Sequence, residues 1–123
     1  MPSPDLYIRR VKYTMAEINL NIYSKGSKKD VEKVLTAHGY DLMLGTVDDF
    51  MGIIDVDKLD DNMAVAKMVL QGYSQIKPLI MDVFPELTDD EYKRVKVNDL
   101  VQTIIQIGLA VVENLDYLKT EKN

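Results

Sequence analysis

Asn98 to Lys119, NDLVQTIIQIGLAVVENLDYLK, is the stretch whose reading decides the fold. At roughly 100° per residue, a helix here spreads Leu100, Val101, Ile104, Ile105, Ile107, Leu109, Val111, Val112, Leu115 and Leu118 over an arc of about 200°. A helix that only covers its own core needs an apolar stripe of about 100°. The stretch therefore predicts a long helix that buries one edge in its own domain and offers another to a second body. Asn98 is placed to cap it, because its side-chain oxygen can accept from the free amides of a first turn.

Working back toward the N-terminus, Thr88 with Glu91 three residues on forms a capping box for a short helix, and Pro85 closes the segment before it. Residues 63–84 hold a helical period through Val65, Met68, Val69, Gly72, Ile76, Leu79, Ile80 and Val83. Pro78 lies inside that period, which predicts one helix kinked between Ser74 and Lys77. Asp61 or Asn62 caps it, after the acidic loop DVDKLDDN. From Asp41 to Asp55, Leu42, Met43, Val47, Phe50, Met51, Ile53 and Ile54 share one side of a helix, with Asp41, Asp48 and Asp55 on the other. Gly45 and Gly52 each weaken that helix by about 1 kcal/mol relative to alanine, for which a close backbone approach is one reason.

Residues 17–23, EINLNIY, alternate instead: Ile18, Leu20 and Ile22 point one way, Glu17, Asn19 and Asn21 the other. Lys25 to Lys29 read as a turn, and residues 31–37 as the return strand of a hairpin, with helix as the alternative. The expected fold is α+β, mainly α: an N-terminal β-hairpin, then a small helical bundle with a Pro-kinked central helix and a long C-terminal helix. Residues 15–123 make a single domain. Residues 1–14 are an extension or an extra strand, since Tyr7, Arg9, Val11 and Tyr13 alternate with Leu6, Ile8 and Arg10.

Composition narrows the function classes. The 123 residues are 46% hydrophobic and 28% charged, as in a globular domain. The longest apolar run, Ile107 to Val112, is far below the ~18 residues that a membrane span needs. Nothing in MPSPDLYIRR resembles a signal-peptide h-region. There is no cysteine, hence no disulfide, thiol nucleophile or thiolate metal site. The net charge of −5 is uneven: residues 1–14 carry +2 and the rest −7. An acidic body repels phosphate backbones, which disfavours nucleic acid as the partner.

No residue set points to catalysis or to a cofactor. Counted from Asp55 as an EF-hand loop, positions five, six and twelve fall on Leu59, Asp60 and Ala66 rather than on an oxygen ligand, glycine and glutamate. The bland reading, a solvated acidic loop favouring the next helix N-terminus, fits better. His38 is the only histidine, which leaves a triad or a transition-metal site without members and reads as a loop residue. Asp48-Asp49 and Asp89-Asp90 are sequence neighbours, which on a helix do not face one another. Gly26 and Gly45 lack the companions of a phosphate loop.

The seven methionines are a softer signal, because methionine adapts its shape at promiscuous interfaces. Met43, Met51 and Met68 fall on expected core faces. Met63, Leu70 and Met81 lie together about 100–200° from the centre of the main stripe of their helix, on its wet side. They either meet a partner helix or are covered by this chain's own N-terminal segment. With Ile107 and Leu109 at the rims of the terminal helix, they form the candidate partner-binding set.

The run YDLMLGTVDDFMGIIDVDKLDD, the segment AKMVLQGYSQIKPLIMDVFPELTDDEYKRVKVNDLV and an apolar helix ending near LDYLKTEKN together resemble the tail assembly chaperones of long-tailed phages and prophages of Gram-positive bacteria. The likeness covers about Glu17 to Asn123 and is one of overall pattern. It implies a non-enzymatic protein that coats the apolar tape measure protein before tail tube subunits polymerise. It also implies self-association, a place in the host cytoplasm but not in the mature virion, and in many members a longer form made by ribosomal frameshifting. The tail tube protein is a further partner on this view. Such chains begin just before the first strand, so Met15 is a natural start, and residues 1–14 are an upstream start, a cloning remnant or a third strand. The rival expectation is a self-associating helical adaptor or regulator with no client.

Overall fold

The computed structural model describes residues 17–122. Strands β1, Glu17–Tyr23, and β2, Val31–His38, form a two-stranded antiparallel sheet. Ile18, Leu20 and Ile22 are fully buried, as their alternation requires. Leu20 stands opposite Leu35, and Ile18 opposite Ala37. Past Ile22 the register slips, so that Tyr23 faces Val31 and Glu32 is left as the extra residue of a bulge. The third strand expected of residues 6–13 lies outside the described residues.

A 3-10 turn, Gly39–Asp41, leads into α1, Leu44–Ile53. This helix is shorter than the Asp41–Asp55 that periodicity predicts. Met43, expected in the core, is 73% exposed: it precedes the helix in extended conformation, so the helical period does not apply to it. Met51 is also exposed, because it stands about 100° round the helix from the buried Phe50. The close approach expected at Gly45 and Gly52 is absent as well. A Cβ at either would meet nothing within 4 Å.

A second 3-10 turn, Val56–Lys58, carries the acidic loop to α2, Asn62–Gln71. Asp61 caps α2, its Oδ1 accepting from the N–H groups of Met63 and Ala64 at 3.1 Å each. The next helix, α3, spans Tyr73–Val83. The discontinuity between α2 and α3 thus falls at Gly72, not at the expected kink between Ser74 and Lys77. Packing decides this: a Cβ on residue 72 would lie 2.7 Å from Ile53 Cγ2, so the end of α1 presses on the chain there. Pro78 sits inside α3, and the bond it removes is the one that the Ser74 carbonyl would accept. Both residues line an open cleft.

The short α4, Asp89–Tyr92, has the expected capping box, with Thr88 and Glu91 bonded reciprocally at 3.1 Å. The long helix α5, Val97–Lys122, begins one residue before Asn98, which lies in its first turn instead of capping it. The Lys96 carbonyl accepts the first intrahelical bond, from Leu100.

α5 organises the rest. β1 lies along one side of it and α2 packs on another, while α1 packs on α3. The contact with β1 is polar as well as apolar. The Asn19 N–H donates to Gln106 Oε1 at 2.7 Å, and its carbonyl accepts from Thr103 Oγ1 at 2.7 Å. Farther along, the Tyr23 N–H donates to the Arg94 carbonyl at 3.0 Å, and the Tyr23 carbonyl accepts from Arg94 Nη1 at 2.7 Å. The outer edge of β1 is thereby satisfied at both ends. On the other side, Gly108 admits Leu59 against the helix backbone.

Candidate interaction surface

The residues expected to meet a partner divide according to what packs on α5. Ile107 is fully buried, which corrects its assignment to an accessible rim. The apolar arc has two rims, and the hairpin takes the one with Ile107, the side on which Thr103 and Gln106 reach Asn19. The opposite rim remains open. Leu109 is 50% exposed there, flanked by the half-buried Ile105 and Val112. The side chain of Leu118 lies outside the described set.

On α2, Met63 and Leu70 are both about two-thirds exposed, on a side of the helix turned away from the buried Val65 and Val69. Tyr73, at the start of α3, is exposed beside them in sequence. Met81 differs: it is half-buried and packs against the core. The accessible set is therefore Met63, Leu70 and Leu109, with Met81 partly withdrawn and Ile107 removed.

A second exposed apolar group lies outside the set expected from the sequence. Leu44 is 84% exposed, and Val34, Tyr40 and Met43 are each more than half exposed around the end of β2 and the start of α1. One signal was available, since Val34 must face outward if Leu35 faces the core. For Met43 the signal was misleading, because the helical period was extended past the real start of α1; Leu44, the first residue of α1, was not on the expected core face and is exposed.

Charged groups near the hairpin serve the fold. Arg94, mostly buried, binds Glu32 Oε1 at 2.9 Å and Asp90 Oδ2 at 3.1 Å in addition to the Tyr23 carbonyl. Burial alone would lower its pKa, but the hydrogen bonds and charges of Asp90 and Glu32 outweigh this and raise it. Lys33 pairs with Glu91. The hydrogen bond from Lys33, followed by that from the Thr88 N–H, holds the Glu91 carboxyl below its ordinary value of 4.5. The Asp99 carboxylate beside the Tyr23 hydroxyl raises the phenol pKa, and Lys96 Nζ sits 4.2 Å from the centre of that ring. These groups tie both strands of the hairpin to the corner between α4 and α5.

Two open clefts flank the helices. One, of about 490 Å³, lies between α1 and α3 and is lined by Asp48, Asp49, Gly52, Ser74, Gln75 and Pro78. The other, of about 300 Å³, adjoins the end of β2 and includes His38. Among the described residues, no group of three or more histidines, cysteines or carboxylates is placed to hold a metal ion. Nor does any hydrogen bond join His38 to a hydroxyl among the described residues. Among them, too, no helix is long and apolar enough to cross a membrane. Compared with protein families, curated proteins and solved structures, the chain matches none.

Proposed function

We propose that this protein is a non-enzymatic tail assembly chaperone of a long-tailed phage or prophage, which binds and solubilises the tape measure protein while the tail tube assembles. The observation that supports the reading is the surplus of large apolar side chains on helix faces turned away from the core: Met63 and Leu70 on α2, Leu109 on α5. Exposed apolar patches on a small protein mark places where another chain docks. A long helical client with unburied apolar faces aggregates unless it is covered, and an acidic cover adds solubility through charge.

Magnitudes suit a temporary contact. Burial of about 800 Å² of apolar surface is worth about 20 kcal/mol gross at ~25 cal/mol per Å². Association costs of about 4–15 kcal/mol leave a bond that polymerising tube subunits can displace. Such a protein works in the host cytoplasm, touches the tail tube protein during handover, and is not kept in the virion. Self-association of the chaperone belongs to the same reading.

The test is co-purification with the tape measure protein from the same phage. Leu70→Glu combined with Leu109→Glu should abolish capture, while far-UV circular dichroism and the urea midpoint stay unchanged, since both side chains are exposed. Undiminished capture sinks the assignment. A closed dimer that ignores a helical client points instead to a self-associating adaptor.

A further inference from the structure

We propose that the outer edge of β2, unpaired among the described residues, and the acidic cleft beside it bind a short, extended, basic segment of a partner protein by strand addition. The site involves none of the residues assigned to the tape measure contact and does not rest on the chaperone reading. Its basis is the hydrogen-bonding phase of the hairpin. Asn19 turns its N–H and carbonyl away from β2, toward Gln106 and Thr103. In an antiparallel pair such residues alternate with those bonded across the ladder, and the residue opposite also turns its backbone outward. Thr36 is opposite Asn19, and Val34 is two residues before it, opposite Asn21. Their N–H and carbonyl groups therefore line the outer edge of the sheet, where no backbone partner exists among the described residues.

This edge is not bare backbone alone. The cleft of about 300 Å³ borders Thr36 and His38, and no residue of β1 lines it. Ala37, Leu42 and Val83 give it an apolar lining that suits alternate side chains of an added strand. Three carboxylates, Asp41, Asp82 and Glu86, also line it; no Lys or Arg does, and none of the three is in an ion pair among the described residues. Met43, which lines the cleft, and Leu44 next to it in sequence are exposed apolar side chains that continue the surface. The occupant that fits is a strand in which apolar and Lys or Arg residues alternate: main-chain bonds go to Val34 and Thr36, apolar side chains enter the cleft, and cations meet the carboxylates.

The experiment uses amide hydrogen exchange of the full chain, followed by NMR, with two blocked peptides as probes: alternating valine–lysine and alternating valine–glutamate, each of about eight residues. The lysine peptide should slow exchange at Val34 and Thr36 about tenfold or more at low salt and leave the β1-bonded Leu35 amide unchanged. Asp82→Lys with Glu86→Lys should remove that protection, with Leu35 again reporting an intact hairpin. Protection by the glutamate peptide to the same degree, protection by neither peptide, or protection that survives the charge reversal each overturns the proposal. So does slow exchange at Val34 and Thr36 in the protein alone. If it vanishes on dilution, a second copy holds the edge; if it persists, a segment of the same chain does.

Discussion

Replacing Gly108 by alanine tests the packing of the long helix directly. Helix propensity alone favours the change by about 1 kcal/mol, because Gly108 lies well inside α5. The structure opposes it. A Cβ there would stand 2.6 and 2.7 Å from the two Leu59 methyls and 3.2 Å from Leu59 Cγ. Since both branches and their stem are too close, a simple methyl swing cannot clear the overlap. Leu59 is 7% exposed, so it has little room to retreat. Overpacking of this kind costs about 1–3 kcal/mol, and expelling the leucine forfeits about 1.5–3 kcal/mol of burial. The net expectation for Gly108→Ala is a loss of up to about 2 kcal/mol in place of the gain of about 1 kcal/mol that propensity alone predicts, read as the urea midpoint at an unchanged slope. In the double variant with Leu59→Ala, the two losses should fall short of additivity by about 1 kcal/mol. Gly45→Ala and Gly52→Ala serve as controls of opposite sign. With nothing within 4 Å and no positive φ, each should be neutral to stabilising by a few tenths to about 1 kcal/mol. A Gly108→Ala protein more stable than its parent by the full ~1 kcal/mol of helix propensity would refute the seating of Leu59 against α5.

Two further outcomes follow from polar contacts. Thr103→Val keeps the shape of a side chain that is 1% exposed but removes the donor to the Asn19 carbonyl, and should cost about 1–3 kcal/mol in urea denaturation; an unchanged midpoint would mean that this carbonyl is satisfied otherwise. Glu91 has a folded-state pKa below its ordinary 4.5, so it stabilises the fold fully above that value and loses this contribution as pH falls through the lowered pKa. Glu91→Gln, which retains a capping-box residue, should therefore weaken the protein at neutral pH and make no difference well below pH 4.5; a pH-independent gap between the two proteins would show that charge is not the cause.

Residues 17–23 and 98–116 declared their elements without help. Strict alternation and a sustained 3.6-residue period are each incompatible with the other structure. The Thr88 cap was legible for the same local reason, and that of α2 was narrowed to Asp61 or Asn62, of which Asp61 makes the bonds; Asn98, expected to cap α5, lies in its first turn instead. The surplus of apolar area on the terminal helix was legible too, as a sum over its sequence. What needed the tertiary structure was which rim of that arc is spent inside the subunit. Ile107 and Leu109 are equally apolar, and only the placement of β1 along one side of α5 buries the first and leaves the second open. The helix break at Gly72, in place of the kink expected near Pro78, has a similar origin: proline acts within its own turn, whereas the demand for a missing Cβ at Gly72 comes from Ile53, nineteen residues away in sequence. The same holds for the edge of β2 that has no strand partner among the described residues, because which strand of the hairpin faces α5 is set by where that distant helix docks.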